Sequence, residues 1–339
     1  MLSRKECFVV ALGSFFLFAC SPLHAQTCIT GKVDERVAAF LKTTGPEANL
    51  AQLRATPIAK LKAGGPPTFK ALPADSVKRI KITGNIPVNV VTASAKSNLP
   101  VIINYHGGGF ISPLLPWMEY DAMILSKKFN AVVFDVDYRV APENKFPAAP
   151  NDAYTAFRWV VEHAKEYGGD PSRIILHGSS AGANLVALVT HKAKKENQLQ
   201  PIKLAIMNCP PVDNPNTSYY PSYEENAKGY MVGKDHAMFF IEQYMEKPEW
   251  YKNNPEAWPI HAQDVSGLPP SLIITAEFDI LRDEGIAYAK KLEKAGNQVQ
   301  IMCFPHQMHC LIGLPPNAQE VKELHSIMGD AIARALAVK

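Results

Sequence analysis

Short runs of apolar and β-branched residues recur along the chain, at Val77–Ile82, Val88–Val91, Val101–Tyr105, Ala131–Val136, Arg173–His177, Lys203–Asn208, Ser271–Thr275 and Val299–Phe304. Most read as continuous apolar stretches without strict alternation. That is the pattern of strands covered on both faces of a parallel sheet. Helical patterns separate most of them, at Trp117–Phe129, Asn151–Glu166, Ala181–Lys195, Glu284–Ala295 and Ala318–Leu336. Strands alternating with helices of this length predict βαβ units. The first two runs are joined by Gly84-Asn85, which predicts an antiparallel edge hairpin. No internal repeat is present. The expected architecture is α/β, with a mostly parallel central sheet of about eight strands and helices on both faces.

Two segments break the alternation. Residues 34–64 hold two helical patterns and no strand, and residues 213–262 are aromatic, rich in Asn and Pro, and helical over Asp235–Lys247. A segment inserted after a strand's C-terminal end falls on the edge where open α/β sheets bind ligands. Together the two predict a lid, with ordinary peripheral packing as the plainer alternative. The expected organisation is N-terminal lid helices over 26–75, a core over 76–212 and 263–339, and an inserted lid segment over 213–262.

The first 25 residues read as a signal peptide. Arg4 and Lys5 precede an uncharged apolar run, Phe8–Ala19, that is too short for the ~20 residues a membrane span needs. Leu23-His24-Ala25 offers a cleavage site before Gln26. The rival reading is lipidation at Cys20, since Leu17-Phe18-Ala19-Cys20 resembles a lipoprotein box. Either way the chain is expected to be exported, periplasmic or secreted, or membrane-anchored if Cys20 is lipidated. Export allows disulfides. The mature cysteines are Cys28, Cys209, Cys303 and Cys310, whose three pairings the spacing does not distinguish, with buried free thiols as the alternative.

Composition narrows the function class. A chain of 339 residues, 47% hydrophobic and 20% charged, has material for a sizeable core. Thirty-five Lys and Arg against 32 Asp and Glu leave a net charge of +3 with no basic run, which argues against a nucleic-acid partner. The 27 prolines are scattered, as in a loop-rich globular protein rather than a linker.

The candidate chemistry lies at strand ends. Gly178-Ser179-Ser180-Ala181-Gly182 follows one strand and opens a helix, the context that a G-x-S-x-G nucleophile elbow requires. The alternative is a glycine-rich turn that binds an anion. Ser180 sits at the apex and Ser179 one position off it. His106-Gly107-Gly108-Gly109-Phe110 follows another strand and matches an oxyanion-loop motif. The N–H groups of Gly107, Gly108 and Ala181 would hold a developing oxyanion, with His106 bracing the loop. A serine hydroxyl needs a base. Asp279 and His309 follow later strands, in the order serine, acid, histidine. Glu277 and Asp283 are alternative acids, although Asp283 is expected to cap the helix near Glu284 or to pair with Arg282. His306 is the rival base, and His177 is expected to be structural. Cys303, His306, His309 and Cys310 could be metal ligands, but adjacent His309 and Cys310 are not expected to point at one ion, so no metal is assigned. No dinucleotide fingerprint or phosphate loop is present, and no cofactor is expected.

These motifs, with Asp137-Tyr138-Arg139-Val140-Ala141-Pro142-Glu143, Phe146-Pro147-Ala148-Ala149 and Leu268-Pro269-Pro270, resemble the hormone-sensitive-lipase-like family of α/β-hydrolases, bacterial carboxylesterases among them. The resemblance covers the chain from about residue 34. It implies an α/β-hydrolase fold with a helical two-piece lid, a Ser180–His309–Asp279 triad and a backbone oxyanion hole at Gly107 and Gly108. It further implies a serine carboxylesterase acting on short- to medium-chain acyl esters. Amidase or deacetylase chemistry, acyl transfer and an inactive binding protein are the alternatives, and the oligomeric state stays open. Phe110 and Ser179 are the expected substrate contacts. Phe110 would wall an acyl pocket together with lid aromatics such as Tyr219, Tyr220, Tyr223, Phe239, Phe240 and Tyr244. Four positions depart from the family pattern: Ser179 stands where an acidic residue or Thr is frequent, His306 where glycine is usual, and Cys310-Leu311 where Gly-Phe usually follows.

Overall fold

A computed structural model describes residues 28–63, 77–214, 219–247 and 251–338. The signal-peptide and Cys20 expectations lie outside the described residues. Among the described residues eight strands form one sheet: β1 (Val77–Lys81), β2 (Pro87–Val91), β3 (Leu99–Tyr105), β4 (Val132–Val136), β5 (Gly169–Ser179), β6 (Ile202–Asn208), β7 (Ser271–Phe278) and β8 (Val299–Met308). Their order is β1-β2-β4-β3-β5-β6-β7-β8. Only the pairs made by β2 are antiparallel; from β4 to β8 every pair is parallel.

The continuous apolar runs arise because both faces are covered. On one face Val101, Ile103, Phe134, Leu176 and Met207 meet α5 (Ala148–His163), α6 (Ala181–Lys195) and α9 (Arg282–Lys294) through residues such as Phe157, Val186 and Leu292. On the other, Ile102, Val133, Ile175, Ile206 and Ile274 meet α4 (Pro116–Phe129) and α10 (Gln319–Ala337) through Met123, Met328 and Ile332. Successive strand residues point to opposite faces, so every position meets a helix.

Two strands run further than their apolar cores suggested. β7 continues to Phe278 and β8 to Met308, so Asp279 and His309 stand immediately past parallel, hydrogen-bonded neighbours. Helix α9 starts at Arg282 behind Leu281, so Asp283 lies inside its first turn and is not the cap. It does pair with Arg282, at 2.7 Å.

The segments outside the alternation pack on one another. α1 (Glu35–Thr44), α2 (Leu50–Ala55) and α3 (Ile58–Lys62) come from the first; α7 (Pro221–Glu225) and α8 (Lys234–Tyr244) from the second. Arg54 of α2 pairs with Glu242 of α8. Glu47 accepts from Gly229 N, Gly233 N and His236 Nδ1 at 2.6, 3.1 and 3.1 Å. Lys145 Nζ donates to the α8 C-terminal carbonyls of Gln243 and Met245, at 2.7 and 3.4 Å. A cation there suits the negative end of the helix dipole.

The N-terminal arm is stapled to the last two strands, β7 and β8. Cys28 and Cys303 form a disulfide, which resolves the pairing and removes Cys303 from any metal site. Glu277 accepts from Thr30 N, Thr30 Oγ1, Gly31 N and His306 N at 2.5–2.7 Å. Burial opposes the Glu277 charge, but these donors hold its carboxyl below the usual range. His306 Nδ1 donates to Lys32 O at 2.6 Å. Glu277 and His306 are thereby committed to the arm, and neither joins the site at Ser180.

Candidate active site

The turn at Ser180 is strained. Ser180 caps α6 with φ 54° and ψ −124°, and its N–H donates to Asn208 O at 2.8 Å. A positive φ is costly for a residue with a Cβ and persists only where its surroundings fix it. The two flanking glycines allow that approach. A Cβ on Gly178 would lie 2.4 Å from Gly182 C, and a Cβ on Gly182 would lie 1.9 Å from Tyr105 O. Helix α6 therefore starts pressed against the end of β3, where its N-terminal N–H groups favour negative charge.

The end of β3 leads into the glycine loop. A Cβ on Gly107 would sit 3.0 Å from Ser179 O and 3.3 Å from Ser180 Cβ, so this loop and the elbow are in contact. The N–H groups of Gly107, Gly108 and Ala181 donate to no other described residue. His106 is buried, and burial drives its pKa down to about 4, opposed in part by its bond to Gly107 O. Nδ1 makes that bond at 2.8 Å and the ring stacks on Tyr138 at 4.2 Å. Tyr138 OH donates to His106 O at 2.7 Å and Ala141 N to Phe110 O at 2.8 Å, so the Asp137–Ala149 stretch braces the loop from behind.

Asp279 and His309 meet. His309 Nδ1 donates to Asp279 Oδ2 at 2.7 Å, and Asp279 Oδ1 accepts from Leu281 N at 2.9 Å. Both residues are buried. Burial disfavours the imidazolium, but the Asp279 carboxylate outweighs it and raises the His309 pKa. Asn208 links this loop to the elbow: its carbonyl accepts from Ser180 N and lies 3.8 Å from Cys310 Sγ. Ser180 Oγ and His309 Nε2 are not hydrogen-bonded to each other. Nε2 has Cys310 Sγ 3.6 Å away, with Cys209 also against the ring.

Two further expected contacts sit differently. Phe110 is only 4% exposed and stacks face to face on Tyr244 of α8 at 4.0 Å. It anchors the lid helix and offers a ligand little surface. Ser179 Oγ accepts from Asn208 Nδ2 at 3.4 Å. Among the lid aromatics, Tyr223 is buried on Glu284, Tyr220 donates to Asp213 at 2.9 Å and Tyr219 is largely exposed. Phe240 comes nearest the glycine loop, with its ring 2.6 Å from where a Gly109 Cβ would stand. His177 is structural, its Nδ1 2.6 Å from Asn104 Oδ1.

Sequence reading placed no chemistry at Cys209. In the structure its thiol, Cys310 and His309 converge, with all three donor atoms within 4.8 Å of one another. Adjacent His309 and Cys310 thus do face one point, contrary to expectation. Cys310 turns back through φ 51°, a glycine-like conformation that brings its side chain beside the ring. The glycine usual at this position was the one signal available.

Comparison with known proteins bears on the whole site. Residues 102–313 match the model of a family described as having the α/β-hydrolase fold. The chain is 36% identical over 228 residues to carboxylesterase NlhH of Mycobacterium tuberculosis, covering 66% of this chain and 70% of that one. It is 30% identical over 258 residues to an arylesterase of Saccharolobus solfataricus, covering 74% and 83%. A solved thermostable esterase of Pseudomonas putida ECU1011 superposes with a TM-score of 0.79 at 31% identity, over 91% of this chain and 98% of that one.

Proposed function

The chain belongs to the hormone-sensitive-lipase-like α/β-hydrolases and is a carboxylic ester hydrolase, and on that premise we propose that it cleaves short- to medium-chain acyl esters through a Ser180 acyl-enzyme. The observation that carries the mechanism is the buried Asp279–His309 hydrogen bond beside a strained serine elbow.

In this mechanism Ser180 Oγ attacks the ester carbonyl carbon while His309 Nε2 takes the hydroxyl proton. Asp279 fixes the tautomer through Nδ1 and stabilises the imidazolium. The oxyanion accepts from the N–H groups of Gly107, Gly108 and Ala181, each worth roughly 2.7–4 kcal/mol of barrier. The C–O bond breaks and the alcohol leaves with the proton from His309. Water then repeats the sequence on the acyl-enzyme, releasing the acid and restoring Ser180. The Ser180–His309 hydrogen bond forms as the ester binds, since such bonds commonly tighten only in the Michaelis complex. Segments 26–75 and 213–262 act as the lid, and Phe240 lying on Gly109 favours a small acyl group.

Export is part of the same reading: cleavage near Ala25, or lipidation at Cys20, delivers the chain to an oxidising compartment, where the Cys28–Cys303 disulfide is stable. The test is fluorophosphonate labelling of the exported protein followed by peptide mass spectrometry, with rates on p-nitrophenyl esters from acetate to palmitate. Label on Ser180 and rates peaking at short or medium chains are expected. Label elsewhere refutes the nucleophile, and a peak at palmitate refutes the acyl preference.

A further inference from the structure

We propose that Cys209, His309 and Cys310 form a thiolate–imidazole site for a soft divalent cation, of which zinc and cadmium are the working examples, and that its occupation switches the hydrolase off. The inhibitory half rests on His309 being the general base.

Two observations carry the site. First, the donors converge: Cys209 Sγ, Cys310 Sγ and a His309 ring nitrogen all lie within 4.8 Å of one another, among the described residues. Nδ1 is bonded to Asp279, so the nitrogen offered is Nε2, which is 3.6 Å from Cys310 Sγ. Tetrahedral zinc, with bonds of ~2.3 Å to sulfur and ~2.0–2.1 Å to nitrogen, sets its donors about 3.6 Å apart. Second, the surroundings are already those of a metal site. A carboxylate on the far ring nitrogen orients and strengthens a histidine ligand, as Asp279 does here. Cys310 N–H donates to Cys209 Sγ at 3.1 Å, which fixes that sulfur beside the other two donors. The backbone turn at Cys310, φ 51°, is what carries its side chain back to the other two donors.

The chemistry balances simply. Two S–H bonds break, two metal–sulfur bonds form, and two protons pass to solvent. The dication and two thiolates sum to zero charge, which suits a buried position. Nε2 gives its lone pair to the metal, and the fourth position is left for water. Cys209 is buried but Cys310 is partly exposed, so entry is from the Cys310 side. A metal on Nε2 blocks the atom that must take the Ser180 proton. Soft thiolate donors select zinc or cadmium over magnesium and calcium.

The experiment uses the full exported chain, with the Cys28–Cys303 disulfide intact and two free thiols confirmed by titration. Cadmium is added while the ultraviolet thiolate-to-metal charge-transfer band is followed, and zinc inhibition of p-nitrophenyl acetate hydrolysis is measured with and without EDTA. The expected result is a band saturating at one cadmium per chain, and zinc inhibition that EDTA reverses. In Cys310→Gly, with rates normalised to its own metal-free value, the band falls and the inhibiting zinc concentration rises at least tenfold. Absence of the band, failure to find two free thiols, or undiminished inhibition in Cys310→Gly overturns the site. A band with activity intact overturns the inhibitory role. Absence of the band alone leaves the triad standing.

Discussion

Replacing Gly182 with alanine disables the enzyme while leaving it folded. The new Cβ would lie 1.9 Å from Tyr105 O, 2.5 Å from Tyr105 C and 2.6 Å from His106 O, where real Cβ contacts stay above 3.0 Å. Both partners are backbone, so no side chain can swing away. Helix α6 and the end of β3 must separate by about 1 Å, and overpacking of this kind costs roughly 1–3 kcal/mol. Alanine's higher helix propensity returns up to about 1 kcal/mol. The same separation opens the space between Ala181 N and the N–H groups of Gly107 and Gly108, and a misplacement near 1 Å costs on the order of 10²-fold in rate. The assay is kcat/KM on p-nitrophenyl acetate beside the thermal unfolding midpoint. Gly329→Ala is the control. It lies within α10, and its Cβ would meet Phe129 at an ordinary 3.5 Å, so stability should rise slightly and activity stay unchanged. A Gly182→Ala enzyme with the parent's kcat/KM would refute the reasoning, because the oxyanion donors could not then depend on this close approach.

Three other predictions follow from the same structure. Asp279→Asn should lower kcat by roughly 10⁴-fold. It should also move the acid limb of kcat/KM to lower pH, since the carboxylate is what raises the His309 pKa against burial; a limb moving upward would contradict this. Cys303→Ser opens a loop spanning 275 residues, for which chain entropy allows about 5–6 kcal/mol at most; Glu277 still holds the arm, so denaturant unfolding should report a smaller loss, and no loss would contradict the stapling role. Burial lowers His106, His177 and His191 from 6.5 to about 4, with nearby lysines adding to the effect at His191. Their folded pKa is depressed, so this stability is complete above pH 6.5 and is lost as pH falls through 4, by roughly 3 kcal/mol per group at most. A flat unfolding midpoint between pH 7 and 4 would show that these rings are not held neutral.

The parts of the account that were legible in the sequence are those whose signal is local. Each buried strand carries its own apolar run, and Gly178–Gly182 declares its turn because only glycine tolerates backbone 1.9–2.4 Å from a Cβ position. Asp279 and His309 were picked out from chain order and strand ends, and the structure brings the two together through one hydrogen bond. What stayed hidden depends on residues far apart in sequence. The Cys28–Cys303 pairing and the three bonds from Thr30 and Gly31 to Glu277 join an arm to strands more than 240 residues away. Phe110 read as a pocket wall because an aromatic after a glycine loop gives no sign that Tyr244 will cover it. Cys209 was silent for the same reason: it is Cys310 turning back that brings a second thiol and His309 against it.

The most direct test of the central claim is kcat/KM on p-nitrophenyl acetate for Ser180→Ala and Ser179→Ala, measured beside the parent enzyme. Ser180→Ala should lose roughly 10⁴-fold or more, and Ser179→Ala should keep a rate near the parent's. Parent-like activity in Ser180→Ala, or the larger loss falling on Ser179→Ala, would contradict it.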